Sequence, residues 1–145
     1  VLVDSGVLLG FYHNSYTANR LQTASTGNGV KAGVKATVSC GPTNIYFQPG
    51  LASKEDMIDS LRRGLLINNV MGLHTANPIS GDFSLGASGF LIENGKLVRP
   101  VRGITIAGNL LDLLSKVTRV GSDLRMYGST GAPTLLVDGI SVSGE

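Results

Sequence analysis

The pattern of apolar and polar positions predicts a chain built mainly of short strands. Residues 34–38 alternate with period two, which is typical of a half-buried strand. Residues 7–12 form a continuous apolar run, so we expect a strand that is buried on both faces. Residues 44–48 predict a further strand that ends at Pro49-Gly50, and residues 15–22 are ambiguous between a loop and one helical turn.

Two segments have helical periodicity. Ser53 is a suitable N-cap with Asp56 three residues later, and a second helix begins at about Asn109. Four apolar residues share one face of the first helix: Met57, Ile58, Leu61 and Leu65. The second helix has a similar face and two basic residues toward its C-terminal end: Leu110, Leu113, Leu114 and Val117, with Lys116 and Arg119.

Two dipeptides predict hairpins. Asn94-Gly95 separates two apolar-rich runs, and this pair favours a type I′ turn, which needs positive φ at both central residues. A further strand is expected around Val101, Ile104 and Ile106. Asp138-Gly139 predicts a second hairpin near the end. The sequence therefore predicts one α+β domain over residues 1–145, mostly antiparallel sheet in a sandwich or partial barrel, with two main helices.

Composition narrows the classes of partner. Only 15% of the 145 residues are charged, against about 25% in typical domains, and 42% are hydrophobic. We expect a surface with so few charges to be buried against another domain or subunit. A chain that begins with Val1 is expected to be a domain of a longer protein. The net charge of +2, with Arg62-Arg63 as the one basic doublet, gives no reason to expect nucleic-acid binding. No apolar run is long enough to span a membrane, and the lone Cys40 fits a reducing cytoplasm.

The residues needed for metal or nucleophilic catalysis are sparse. A zinc peptidase motif needs two histidines one helical turn apart beside a glutamate, whereas His13 and His74 are far apart and neither precedes a glutamate. A three-ligand site of His13, His74 and Cys40 is geometrically conceivable, but structural roles are the better interpretation. Gly86-Ala87-Ser88-Gly89 differs from a nucleophile elbow, which is longer and precedes a helix. We predict no catalytic residue and no metal or cofactor in this domain.

The run GDFSLGASGF at residues 81–90 carries a family resemblance. It resembles the C-terminal domain of the TldD/PmbA family, the metallopeptidase-related proteins once called modulators of DNA gyrase, and is most similar to the PmbA (TldE) subunit. Pieces elsewhere extend the resemblance over nearly the whole chain, among them VDSGVL, TGN, PTN and PTL. Residues 127–131 read YGSTG, without the cysteine that the zinc-bearing TldD subunit carries late in this domain.

The resemblance implies a cytoplasmic subunit that pairs with a zinc-bearing TldD-like protein and acts with it on unfolded peptides, so any zinc belongs to the partner. A homodimer is a further expectation. Two alternatives remain open: a regulatory or interaction protein that modulates DNA gyrase without proteolysis, and a self-sufficient metallopeptidase whose metal motif lies in an N-terminal part.

Residues 81–89 are expected to form a glycine-rich loop that contacts the partner or the peptide. The candidate contact residues are His74, Asp82, Phe83, Ser84 and Ser88. Phe83 is the expected anchor because aromatic side chains dominate contact hot spots, although it would equally plug the end of the core. Asp82 has an alternative structural role in an Asx-turn.

Overall fold

The computed structural model describes residues 1–144. Along the chain the strands and helices are β1 (Val3–Asp4), β2 (Val7–Leu8), α1 (Ser15–Arg20), β3 (Gly29–Val30), β4 (Ser39–Cys40), β5 (Ile45–Tyr46), α2 (Lys54–Asp59), β6 (Arg63–Met71), a 3-10 helix (Leu73–Thr75), β7 (Asp82–Glu93), β8 (Lys96–Asn109), α3 (Leu110–Ser115), β9 (Val117–Val120), β10 (Arg125–Tyr127), β11 (Thr130–Ala132), β12 (Leu135–Val137) and β13 (Ser141–Ser143). Strands dominate and pair mostly antiparallel, which confirms the α+β class. None of the helices formed by residues 1–144 combines the length and the apolarity needed to cross a bilayer.

The chain divides into two compact units. The first consists of Val1–Phe47 and Arg125–Ala132, and the second of Gln48–Leu124 and Pro133–Glu145. The first unit contains the antiparallel pairs β1–β2 and β3–β4 and a three-stranded sheet in the order β10–β11–β5. The second unit contains the antiparallel pair β12–β9 and a four-stranded antiparallel sheet in the order β13–β8–β7–β6.

The centre of this four-stranded sheet is the long hairpin β7–β8, and its turn is the predicted one. Asn94 and Gly95 both have positive φ, at 49° and 74°, as a type I′ turn requires. Glu93 and Lys96 are therefore paired directly across the turn. The separate strand expected around Ile104 is the second half of β8, so the hairpin arms are longer than predicted.

The core of the second unit lies on one face of this sheet. Five buried side chains form it, and six partly buried ones pack against them: Leu85, Ala87, Val101, Ile104 and Ile106, then Leu65, Ile67, Val70, Phe83, Leu91 and Ile140. On β7 the core residues are at odd positions, because side chains alternate between the two faces of a strand. The even positions of β7 lie on the opposite face, where Asp82 and Ser84 are exposed but Ile92 is almost fully buried.

Helix α2 packs near the turn end of the hairpin. It begins with the predicted capping box, in which Asp56 N–H donates to the Ser53 hydroxyl at 3.0 Å. Gly95 N–H donates to the Leu61 carbonyl at 2.8 Å, just beyond the helix. A Cβ on Gly64 would lie 3.0 Å from the Leu61 side chain, so the absence of a side chain at Gly64 makes room for Leu61.

Both predicted helices are shorter than their apolar periodicity indicated. Helix α2 ends at Asp59, so Leu65 lies in β6 and not on a helix face. Helix α3 ends at Ser115, and Val117 and Arg119 belong to β9. In both places the chain leaves the helix to pair with a distant strand, β7 or β12, and those backbone hydrogen bonds replace the helical ones. Residues 15–20 form a third helix of similar length, α1.

Several strand predictions were wrong. Residues 34–38 form no strand, and Val34 is 93% exposed. The run at residues 7–12 is not buried on both faces, since Val7, Leu8 and Leu9 are all more than half exposed. The Asp138-Gly139 hairpin does not form, because β12 pairs with β9 whereas β13 pairs with β8, and only Gly139 of this dipeptide has positive φ.

Candidate functional site

The segment expected to be a loop is a central strand. Residues 82–89 belong to β7 and pair with β6 on one side and β8 on the other, so the prediction of a loop at 81–89 was wrong. Its glycines permit close strand contact: a Cβ on Gly89 would fall 1.8 Å from the backbone oxygen of Leu66. Three candidate residues, Asp82, Ser84 and Ser88, lie at even positions and therefore share the face opposite the core.

Asp82 is exposed and held by hydrogen bonds at the start of β7. Its carboxylate accepts from the Asn109 amide at 2.9 Å and from the Ser80 hydroxyl at 2.7 Å. The hydrogen bond from Asn109, followed by that from Ser80, lowers the pKa of Asp82 below its ordinary value. At neutral pH this carboxylate is ionised and serves to hold neighbouring groups in position.

Asn109 connects this cluster to helix α3. Its side-chain oxygen accepts from Leu111 N–H at 3.0 Å, which caps the helix as predicted, and its amide also donates to the Ser80 carbonyl at 2.8 Å. Before the strand, the Asn77 side chain accepts from Ile79 N–H at 2.9 Å and forms an Asx-turn. The cap at Asn109 was predictable from the sequence, whereas the bonds of its amide group were not. The Asn77-Pro78 pair was an available signal for the turn.

Phe83 lies on the opposite face of β7 from these three residues, and His74 lies outside the strand. Phe83 is partly buried on the core face and packs against the core cluster, with its ring 3.4 Å from where a Cβ on Gly108 would be. His74 is exposed in the 3-10 helix that follows β6. The structure therefore brings Asp82, Ser84 and Ser88 onto one face and separates Phe83 from them.

Strand β6 is an open edge of the four-stranded sheet. It pairs with β7 on one side, and no strand of residues 1–144 pairs with its other side. An unpaired edge presents backbone donors and acceptors to any extended chain. The edge is nine residues long and lacks proline and lysine, and a register shift between Ile67 and Asn69 interrupts it. The regular part is the first five residues, from Arg63 to Ile67.

The donor set does not fit a zinc site in the part of the chain that the structure describes. No three His, Cys, Asp or Glu residues among residues 1–144 lie close enough to hold a metal ion. The Cys40 sulfur instead accepts from Asn14 N–H at 3.0 Å and donates to the Tyr12 carbonyl at 3.3 Å. Nδ1 of His13 is buried and has no hydrogen-bond partner among the described residues. We assign no chemical step to these side chains.

The chain is similar to known proteins over its full length. Residues 1–144 match the family model of the PmbA/TldA metallopeptidase C-terminal domain. The chain is 34% identical over 145 residues to a metalloprotease PmbA homolog of Haemophilus influenzae, covering 99% of the chain and 30% of that protein. It is 32% identical over 132 residues to a metalloprotease TldD homolog of Buchnera aphidicola, covering 90% of the chain and 27% of that protein. The chain thus spans about a third or less of these curated relatives.

Solved structures share the fold. A crystal structure from Thermotoga maritima, described as a modulator of a DNA gyrase, superposes with a TM-score of 0.89 at 40% identity, covering 98% of this chain and 32% of that one. TldE from Thermococcus kodakarensis superposes with a TM-score of 0.88 at 28% identity, covering 99% and 33%. The match of the family model to residues 1–144 shows that the chain belongs to the PmbA/TldA metallopeptidase C-terminal domain family.

Proposed function

We propose that the chain is the C-terminal domain of a PmbA/TldE-type subunit, cytoplasmic and without zinc of its own. It pairs with a zinc-bearing TldD-like subunit, and the pair cleaves unfolded peptides. The similarity to a PmbA homolog and to TldE supports this assignment. Zinc, when bound by the partner, supplies a Lewis acid and an activated water. This domain contributes a wall of the substrate site and backbone contacts to the peptide.

The open edge of β6 is the observation that carries the proposed contact with substrate. An extended peptide that adds to a sheet edge gains main-chain hydrogen bonds, which give affinity with little dependence on sequence. Unfolded peptides offer those backbone groups, whereas folded proteins have already paired them. The regular stretch from Arg63 to Ile67 has room for a peptide segment of about five residues, because paired strands have nearly the same rise per residue.

The polar cluster at the start of β7 keeps this sheet in place during binding. Asn109 joins Asp82, the Ser80 carbonyl and the first turn of α3 through its amide group. Asp82 is a poor candidate for general acid or base catalysis, because its hydrogen bonds already stabilise the ionised form. Its role in the proposal is therefore positional.

The first unit supplies a surface for a partner subunit. Many of its large apolar side chains are exposed, including Phe11 and Tyr16, each 69% exposed, and Tyr127, 74% exposed. Exposed apolar patches mark interaction surfaces, and aromatic residues are enriched among interface hot spots. We infer that these side chains are buried against a second subunit, either the TldD-like partner or a second copy of this protein.

N-methylated peptides test the edge-binding step in the full-length protein paired with its TldD-like subunit. Two peptides of one sequence carry backbone N-methyl groups on alternate residues, one on odd and the other on even positions. Only alternate residues of an edge-bound strand donate backbone hydrogen bonds to the sheet. The peptide whose methyl groups block these donors should be cleaved more than tenfold less, whereas the other peptide should be cleaved normally. Equal cleavage of both peptides would contradict edge binding.

The same preparation tests the competing functions. If neither subunit nor the pair cleaves any unfolded peptide, the proteolytic proposal fails and a regulatory role is favoured. If the full-length protein cleaves peptides without the TldD-like subunit and contains zinc, it is a self-sufficient metallopeptidase.

A further inference from the structure

A cavity of about 280 Å³ lies on the core face of the four-stranded sheet, at the end where β6 begins. All four strands contribute to its lining. Its apolar lining consists of Leu65, Leu91, Val101, Ile104 and Val142. Val101 and Ile104 are almost fully buried and form the floor. Arg63 and Arg99 are exposed and form the rim, so we call this feature the arginine cavity.

The two arginines of this cavity have no side-chain partner within hydrogen-bonding or ion-pair distance in the described chain. Neither Arg63 nor Arg99 forms an ion pair or a side-chain hydrogen bond with any of residues 1–144. Glu93 is paired with Arg63 in the β6–β7 ladder, yet it makes no ion pair with it and does not line the cavity. Both guanidinium groups border one apolar cavity, so an anion bound there would be attracted by two positive charges.

We propose that the arginine cavity binds the C-terminal carboxylate of an extended peptide whose last side chain is apolar. This inference rests on the proposed peptide-binding role. Guanidinium groups bind carboxylates through paired hydrogen bonds, and the apolar floor would take the last side chain. The volume is close to the lower limit of about 300 Å³ for ligand pockets, so it accommodates one end of a peptide.

The position of Arg63 links the cavity to the open edge. Strand β6 begins at Arg63, so a peptide added antiparallel to β6 would have its C-terminal end beside this residue. The last residue could then turn from the edge onto the core face, where Leu65 and Arg63 lie on the same side of the strand. One peptide would use the edge for its backbone and the cavity for its carboxylate.

Paired peptides test this assignment in the full-length protein with its TldD-like subunit. A labelled peptide ending in leucine is compared with the same peptide carrying a C-terminal amide, and fluorescence anisotropy measures binding. We expect the amide to bind at least tenfold more weakly. The double variant Arg63→Gln/Arg99→Gln should bind both peptides equally. Arg62→Gln and Arg102→Gln change exposed arginines outside the cavity lining, and should retain the preference for the free acid.

The outcomes separate this inference from the proposed function. Equal binding of acid and amide by the unmodified protein, or a preference that persists in the double variant, overturns the carboxylate site and leaves peptide cleavage by the pair intact. Absence of binding and of cleavage with both peptides overturns both proposals. Glu145, which follows Gly144 and lies outside the described residues, is a second source of carboxylate. If the free-acid peptide binds better than the amide only in Glu145→Gln, the cavity binds the side chain of Glu145 in the unmodified protein, and the proposal is wrong.

Discussion

Gly89→Ala should destabilise the second unit by about 3 kcal/mol. Gly89 is buried in β7 between Ile67 of β6 and Val101 of β8. An added Cβ would lie 1.8 Å from the Leu66 carbonyl oxygen, whereas ordinary contacts begin at 3.4 Å. The two strands would therefore have to separate by about 1.6 Å, the difference between these distances.

The magnitude follows from three contributions. Overpacking a well-filled site costs up to about 3 kcal/mol. Separation of the strands weakens at least one backbone hydrogen bond, which adds roughly 1 kcal/mol. Replacing glycine by alanine restricts the unfolded chain and returns about 0.4–1 kcal/mol. The net loss of about 3 kcal/mol is measured by urea unfolding monitored by circular dichroism. The slope of the free energy of unfolding against urea concentration should be unchanged.

Gly86→Ala is the matched control on the same strand. A Cβ there would lie 3.6 Å from the Met71 side chain, which is an ordinary contact. We expect this variant to be as stable as the unmodified chain, or more stable by about 0.5 kcal/mol. A free energy of unfolding for Gly89→Ala within about 1 kcal/mol of the control would contradict close packing of the β6 backbone against Gly89.

Four further substitutions test the site and its supports. Asn109→Ala should cost about 2 kcal/mol in urea unfolding, since it removes the cap of α3 and the amide bonds to Ser80 and Asp82; NMR titration should show the pKa of Asp82 rising toward its ordinary value. The pKa of Asp82 is lowered in the folded state, so its ionised carboxylate stabilises the fold above about pH 4. This stabilisation is lost as the pH falls through the pKa of the folded state. In Asp82→Asn the free energy of unfolding should therefore decrease less as the pH falls below about 4. The same pH dependence as in the unmodified protein would contradict this contribution. Phe83→Ala should cost about 2–3 kcal/mol, because a half-buried ring packs on the core; a loss under 0.5 kcal/mol with weakened partner binding would instead favour a contact role. Ser53→Ala should lower the free energy of unfolding by about 1 kcal/mol through loss of the capping box, with no change in peptide binding.

Features set by neighbouring residues were predictable from the sequence. The Asn94-Gly95 turn depends on two adjacent backbone conformations, and the caps at Ser53 and Asn109 depend on residues within one helical turn. Each of these predictions is confirmed. Such interactions are local, so the residues that determine them are already adjacent in the sequence.

Features set by distant pairing were not predictable from local patterns. Leu65 fits a helical face, yet its backbone hydrogen bonds are with β7, far along the chain. Glycine and serine at residues 81–89 suggested a loop, but Gly89 is required because the Leu66 carbonyl lies so close to it. Val34 alternates with polar residues as in a strand, yet it is exposed, because residues 31–38 have no strand partner.

The candidate site shows the same division. A structural role for Asp82 was available from the sequence as an Asx-turn, but the bond that most lowers its pKa comes from Asn109, on the neighbouring strand. The arginine cavity is also non-local, since Arg63 and Arg99 line it only after β6, β7 and β8 have paired. Periodicity shows which face a residue occupies on its own strand, but not which residues meet across the sheet.

Reconstitution from separately purified full-length subunits shows which subunit carries the zinc and which combination cleaves peptides. Cleavage of an unfolded peptide and zinc content are measured for this protein, for its TldD-like partner and for the mixture. We expect no stoichiometric zinc in this protein alone, cleavage by the mixture only, and about one zinc per pair. Zinc-dependent cleavage by this protein in the absence of the partner would contradict the assignment of a non-zinc subunit.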